Sequence, residues 1–192
     1  MRRGPLRRSW ARDETAAGLA VGEVARYHGD GMTQEDRLQK AIELFREAYR
    51  RQMEGDLEGA IEHYQRSIAL QPTAEAHTFL GWTYSFQGRI DEATAECLKA
   101  IEVDPDFGNP YNDIGCYLMQ QDKLDQAIPW LEKAKRAPRY EPRQFPYMNL
   151  GRIYLRQGRW WDALREFEAA VRLAPDDAEL RRTLHSLRAR LN

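Results

Sequence analysis

The sequence predicts an all-α protein built as a stack of helical hairpins, and three observations predict it. Residues 77–105, HTFLGWTYSFQGRIDEATAECLKAIEVDP, divide into two short amphipathic segments around a Gln87-Gly88-Arg89 turn and stop at a proline. The same template returns further on, where Leu150-Gly151, Tyr154, Gly158, Ala163, Phe167, Ala170 and Pro175 repeat it almost residue for residue. Small residues and prolines also recur at matching places throughout. A unit repeated at a fixed spacing of about 34 residues marks an array whose members bury their apolar faces on one another.

Residues 1–31 differ in composition from the rest of the chain. MRRGPLRRSWAR carries five arginines, and a small, glycine-punctuated stretch comes after it. The apolar run around Leu19 is short and comes after Asp13 and Glu14, which is unlike a secretory signal. A flexible extension is expected, with Met32 as an alternative start and Thr33 capping a helix that begins Gln34-Glu35-Asp36. The repeat domain then spans residues 32–192.

Its first unit covers about residues 41–73, with Leu44 and Ala48 on one helix, a Glu54-Gly55-Asp56 turn, then Ala60, Tyr64 and Ser67 before Pro72. The second covers 74–107. The third covers 108–143, with Tyr111, Ile114, Gly115, Leu118, Ala127, Leu131 and Ala134, and its closing segment 137–143 is longer than the template. The fourth covers 144–177. Residues 178–191 place Leu180, Leu184 and Leu187 on one face with arginines elsewhere, as expected of a solvating cap helix.

Each residue type has a reason at its place. Ala48, Gly81, Gly115 and Gly151 sit where the two helices of a hairpin cross, and a small side chain lets the backbones approach. Ala60, Ala93, Ala127 and Ala163 do the same from the partner helix. Pro72, Pro105 and Pro175 stop the second helices, which they cannot continue. Pro110 and Pro146 fall in first turns, where a missing N–H costs little.

Bulk properties narrow the function classes. The formal charge is −1 over 192 residues, so no global field draws the chain to nucleic acid or to a membrane. Hydrophobic residues make up 42% and charged residues 31%, which suits a thin helical core with much wet surface. Two cysteines, Cys97 and Cys116, form neither a disulfide framework nor a metal signature and fit a reducing, cytoplasmic setting. No apolar run approaches the roughly 20 residues of a bilayer crossing.

These residues resemble the tetratricopeptide repeat, whose pattern runs W-x2-L-G-x2-Y, then A-x3-F, then P. Unit two reads His77-x2-Leu80-Gly81-x2-Tyr84, Ala93-x3-Cys97, Pro105; unit four reads Tyr147-x2-Leu150-Gly151-x2-Tyr154, Ala163-x3-Phe167, Pro175. Unit three departs modestly, and unit one most, with Glu47 and Arg51 where Leu and Tyr are usual. The resemblance implies a right-handed superhelical α-α solenoid of about four hairpins plus a C-terminal cap helix. It implies non-catalytic binding of a protein or peptide as a scaffold or adaptor.

At about 100° per residue, template positions 2, 5, 9, 12 and 13 of a first helix lie opposite its packing positions 4, 7, 8 and 11. In this family the first helices line the concave side, so that set implies the groove. It comprises Phe45 and Tyr49; Thr78, Trp82 and Phe86; Asn109, Asn112, Cys116, Met119 and Gln120; and Phe145, Met148, Arg152 and Leu155. A solvated face has no reason to carry so many rings and methionines, and such apolar surface marks interaction sites. An apolar or amphipathic segment is therefore the expected ligand. The alternative is a self-associating structural module whose groove is filled by its own N-terminal segment or by another copy. One subset of the family grips carboxyl-terminal peptides with Lys, Asn and Arg, and the places that would hold them here carry Phe45, Tyr49, Phe79, Asn109 and Asp113. That clamp is not expected.

No catalytic constellation stands out. His28, His63, His77 and His185 are scattered, with His77 expected to pack. No phosphate loop, metal-ligand spacing or nucleophile elbow occurs, so no cofactor and no metal are expected. Cys97 reads as a small buried hydrophobe. Cys116 faces the groove without a basic neighbour to activate it. Lys133, Lys135, Arg136, Arg139 and Arg143 form a local basic strip, read as a solvated linker in preference to a contact for an acidic partner or nucleic acid.

Overall fold

The structure, a computed structural model, describes residues 31–191. It is an all-α solenoid, and nine helices occupy the described residues. They are α1 (Gln34–Glu54), α2 (Leu57–Leu70), α3 (Ala74–Phe86), α4 (Ile90–Val103), α5 (Asn109–Gln120), α6 (Leu124–Arg136), α7 (Gln144–Arg156), α8 (Trp160–Leu173) and α9 (Ala178–Leu191).

Local chemistry sets the ends. Thr33 caps α1 in a reciprocal arrangement: its Oγ1 accepts from the Asp36 N–H at 3.0 Å, and its own N–H donates to Asp36 Oδ2 at 3.0 Å. Asp56 and Thr73 cap α2 and α3 by accepting from Gly59 and Ala76. Each hairpin turns on one left-handed residue at the same template position, Gly55, Gly88, Asp122 and Gly158 with φ of 92°, 76°, 62° and 71°. Asp122 takes the place of glycine in the third hairpin, a conformation a short polar side chain tolerates.

Within each hairpin the small residues are fully buried. Ala48, Ala60, Ala93, Ala127 and Ala163 have no exposed surface. A Cβ added at Gly81 would come 2.8 Å from the Ala93 carbonyl oxygen, and one at Gly151 would come 2.8 Å from the Phe167 ring. Large residues fill the space between hairpins. Tyr64, Leu80, Tyr84, Cys97, Ile114 and Tyr117 share one core, and Leu131, Leu150 and Ile153 share the next. Phe167, Leu180, Leu184 and Leu187 form the last.

The curvature comes from which helices touch. Successive first helices meet, α1 with α3, α3 with α5 and α5 with α7, whereas successive second helices do not. The first helices therefore form the inner layer and the second helices the outer one. The segment 137–143 closes the stack between units two and three. Its Arg139 exchanges backbone bonds with the 106–108 loop, the Arg139 N–H donating to Asp106 at 3.1 Å and the Gly108 N–H donating to Arg139 at 2.9 Å. The Arg139 guanidinium reaches Glu75 at 2.6 Å and Asp104 at 2.5 Å. The Phe107–Arg139 pairing is an isolated bridge, not a strand.

Candidate functional site

The inner layer presents two chemically different stretches. The first lies on α1 and α3. Phe45 meets Phe79 edge-on at 5.3 Å, Tyr49 meets Phe79 at 5.7 Å, Phe79 meets Trp82 at 5.7 Å, and Trp82 meets Phe86 at 5.2 Å. Tyr49 and Trp82 are half-buried and Phe86 is 51% exposed. The cluster is thus anchored at Phe45 and Phe79, beside the Tyr64 core, while its outer rings keep open faces. Edge-on ring pairs hold one another in place, so the surface is ordered before any ligand arrives.

The second stretch is polar and lies on α5 and α7. Asn149 Nδ2 donates to Asn112 Oδ1 at 3.0 Å and to Cys116 Sγ at 3.2 Å, and Arg152 Nη1 donates to Asn149 Oδ1 at 3.1 Å. Met119, Phe145, Met148 and Leu155 are half-buried around this network, and Gln120 and Arg152 are exposed.

Three expected groove residues are not surface residues, and the inner set is corrected accordingly. Thr78 is 4% exposed because its hydroxyl turns back to donate to the Ala74 carbonyl at 2.7 Å. Asn112 is 8% exposed, covered by Asn149 from the next hairpin. Asn109 is 4% exposed in the first turn of α5, where Tyr140 and Ala137 press on the adjoining Gly108. What these three offer is support for the wall, not contact with a guest.

The titratable groups beneath the wall are governed by burial. Desolvation pushes the Asp113 carboxyl up to about 7, with a hydrogen bond from Asn112 opposing it. Desolvation, aided by Asp113, pushes the Cys116 thiol up to about 12 although Arg152 lies near. The thiol is therefore protonated at neutral pH and serves as a hydrogen-bond acceptor, not a nucleophile. Cys97 is fully buried. His77 is buried as a packing residue but also binds Glu96 through Nδ1 at 2.7 Å, an interaction its position in the repeat does not announce. Burial works to raise the Glu96 carboxyl, and hydrogen bonds from His77 and Lys99 outweigh it.

The basic strip at the end of α6 is partly paired within the stack. Lys135 pairs with Glu132 and Glu166 at 3.1 Å, Arg139 is held by Glu75 and Asp104, and Lys133 covers the Trp130 ring at 4.7 Å. Lys133, Arg136, Arg139 and Arg143 are exposed, so most of the strip is solvated. Among the described residues no helix is long and apolar enough to cross a membrane, and no group of three or more His, Cys, Asp or Glu is arranged to hold a metal ion. The N-terminal extension, an expected occupant of the groove in the self-filling alternative, lies outside the described residues.

Stacked hairpins with a ring-bearing inner layer define the class: a helical-repeat scaffold of the kind that binds proteins. Family models of the tetratricopeptide repeat match residues 74–107, 109–139 and 145–177, together about half of the chain. The chain belongs to the tetratricopeptide repeat family. Among curated proteins it is similar to the mitochondrial import receptor subunit TOM70 of human and of rat, with 25% identity over 144 residues, 74% of this chain. It spans only 23% of the length of those relatives. Among solved structures it is similar to Pseudomonas aeruginosa pilF, with a TM-score of 0.72 and 22% identity over 79% of this chain and 68% of that one. MamA superposes with a TM-score of 0.63 at 21% identity, covering 78% of this chain and 81% of that one. YrrB, described as a tetratricopeptide repeat protein with an unusual peptide-binding site, superposes with a TM-score of 0.59 at 22% identity, over 81% and 79% of the two chains. At these identities the structural likenesses speak for the fold alone.

Proposed function

We propose that the protein is a non-catalytic scaffold or adaptor that holds an apolar or amphipathic segment of a protein partner along the inner layer of α1, α3, α5 and α7. The observation that carries this reading is the ring cluster on α1 and α3, where Phe45, Tyr49, Phe79 and Trp82 lie half-buried over the buried Tyr64 and Phe86 is exposed. Aromatic rings held by their neighbours bind with little loss of side-chain freedom, which makes them good anchors. The similarity to an import receptor subunit supports the same reading. The proposal includes a reducing, cytoplasmic setting, in keeping with two unpaired cysteines.

The test is Trp82→Ala beside the wild type. Trp82 is half-buried and sits at the edge of the ring cluster, so its truncation should cost about 1 kcal/mol or less and lower the melting temperature by only a few degrees. Capture of partners on an affinity column should be lost. A drop of more than about 10 °C would make the ring a core residue, and an unchanged captured set would remove the wall from function.

A further inference from the structure

The inner layer brings the backbones of successive first helices together until its last step, where they stand further apart. α9 occupies the place of a fifth first helix and packs chiefly on α8, meeting α7 through side chains. Its Leu180, Leu184 and Leu187 are buried with Ala163, Phe167 and Ala170 of α8, and Tyr147, Met148, Tyr154 and Leu155 of α7 pack against the same cluster. A cleft of about 340 Å³ remains on the inner side. Leu155 of α7, Trp160 at the start of α8, and Arg182, Ser186 and Arg190 of α9 line it.

The spacing on α9 is that of one helical face, since residues 182, 186 and 190 recur at four-residue steps. Counted in the repeat template, Glu179, Arg182, Ser186 and Arg190 stand at positions 2, 5, 9 and 13; position 5 carries Phe45, position 9 Tyr49 and Trp82, and position 13 Phe86 earlier in the stack. Both arginines are exposed and make no ion pair among the described residues, so their guanidiniums are available at the cleft. Arg152, one turn before Leu155 on α7, is exposed and donates only to Asn149. Glu179 is the acid of the cleft, at its α9 end. Trp160 is 42% exposed and gives the cleft an apolar side.

We propose that this cleft is the acid-reading end of the partner site, so that the bound protein segment is bipartite: apolar where it meets Tyr49, Trp82 and Phe86, acidic where it meets Arg182 and Arg190. Two unpaired guanidiniums on one helical face favour side-chain carboxylates, which they bind through paired N–H donors. Residues 1–12 of this chain carry five arginines and no acid, a charge that does not complement this end. The inference rests on the inner layer being the binding wall, and it adds a direction to that wall.

A random dodecapeptide library displayed on phage, selected against the full chain, tests it. Wild type should enrich peptides with acidic residues at one end and apolar residues at the other. Arg182→Glu/Arg190→Glu should lose the acidic enrichment and keep the apolar one, while Trp82→Ala should lose the apolar one. Affinity of a selected peptide for the wild type should fall about tenfold between 50 and 300 mM salt, because exposed charge pairs are screened. Apolar peptides without acids, or acids retained by the double variant, would overturn the bipartite reading and leave the wall standing. Failure to enrich any peptide would sink both. Wild-type dimers that the double variant abolishes, without acidic peptides, would assign the cleft to a second copy and equally overturn the proposal.

Discussion

Asp113 gives a test of the stack that can be worked through from the structure. It lies partly buried on α5, within electrostatic reach of Cys97 on α4, Cys116 and Tyr117 on its own helix, and Tyr140 of the 137–143 segment. None of these is a cation. Desolvation therefore dominates, and the carboxyl that would ionise near 3.8 is held up to about 7. Linkage gives the sign. Below 3.8 both folded and unfolded states carry the proton, and the fold bears no cost from this group. Between 3.8 and about 7 the unfolded chain has released its proton and the folded one has not, so stability falls as pH rises. Above about 7 the carboxylate is charged in both states and the full cost remains. One pKa unit is about 1.4 kcal/mol, so that cost is on the order of 2–4 kcal/mol, with partial exposure favouring the lower end. Asp113→Asn removes the titration and keeps a polar group beside Asn112. Urea melts of both proteins at pH 4, 5.5, 7 and 8.5 should show near-equal stability at pH 4 and a growing advantage for the variant, reaching about 2 kcal/mol at pH 8.5. An offset that does not change with pH, or wild type gaining stability relative to the variant as pH rises, would refute the argument.

Two further substitutions probe the packing. Gly81→Ala places a Cβ 2.8 Å from the backbone carbonyl of Ala93, an obstacle that cannot rotate away, and should cost about 1–3 kcal/mol by chemical denaturation with binding affinity of the folded fraction unchanged. Lys135→Met leaves Glu166, whose side chain is 16% exposed, without its partner on the neighbouring hairpin and should destabilise by on the order of 2 kcal/mol. Lys135→Met/Glu166→Leu should recover most of that loss, and a double variant no better than the single one would mean that the pair contributes packing rather than charge.

The fold was legible because the repeat gives each residue type a narrow task. Gly81, Ala93 and Tyr84 have only one placement that satisfies helix approach and apolar burial together, and the structure uses it. Depth was less legible than direction. A helical period assigns Thr78, Asn109 and Asn112 to the inner face, but whether such a residue is open depends on what the next hairpin lays over it. Asn149 lies over Asn112, and the Thr78 hydroxyl is consumed by its own helix. The paired part of the basic strip was hidden for a related reason. Partners of Arg139 and Lys135 lie at Glu75, Asp104 and Glu166, too far along the chain for a local charge count to find. The residues proposed on α9 had left a signal. Extending the template past residue 177 places Arg182 and Arg190 on the inner face, which three buried leucines on the opposite side had obscured.

The two ends of the inner layer differ because packing demands on them differ. A first helix placed between two others must present small or apolar residues to both neighbours, so its inner face is confined to what fits beside them. Polar residues that stand there are satisfied by one another, as the Asn112 and Asn149 amides are across the gap between α5 and α7. At α9 the constraint is lifted. Anchored chiefly on α8 by Leu180, Leu184 and Leu187, and meeting α7 only through side chains, it carries its long charged side chains at an open cleft. A buried unpaired guanidinium would destabilise the fold, whereas one at the rim of a cleft remains hydrated until a carboxylate arrives. Aromatic anchors belong where neighbouring rings can brace them, and free cations belong where the stack has opened. The order of chemistry along the wall is thus set by how each helix is held.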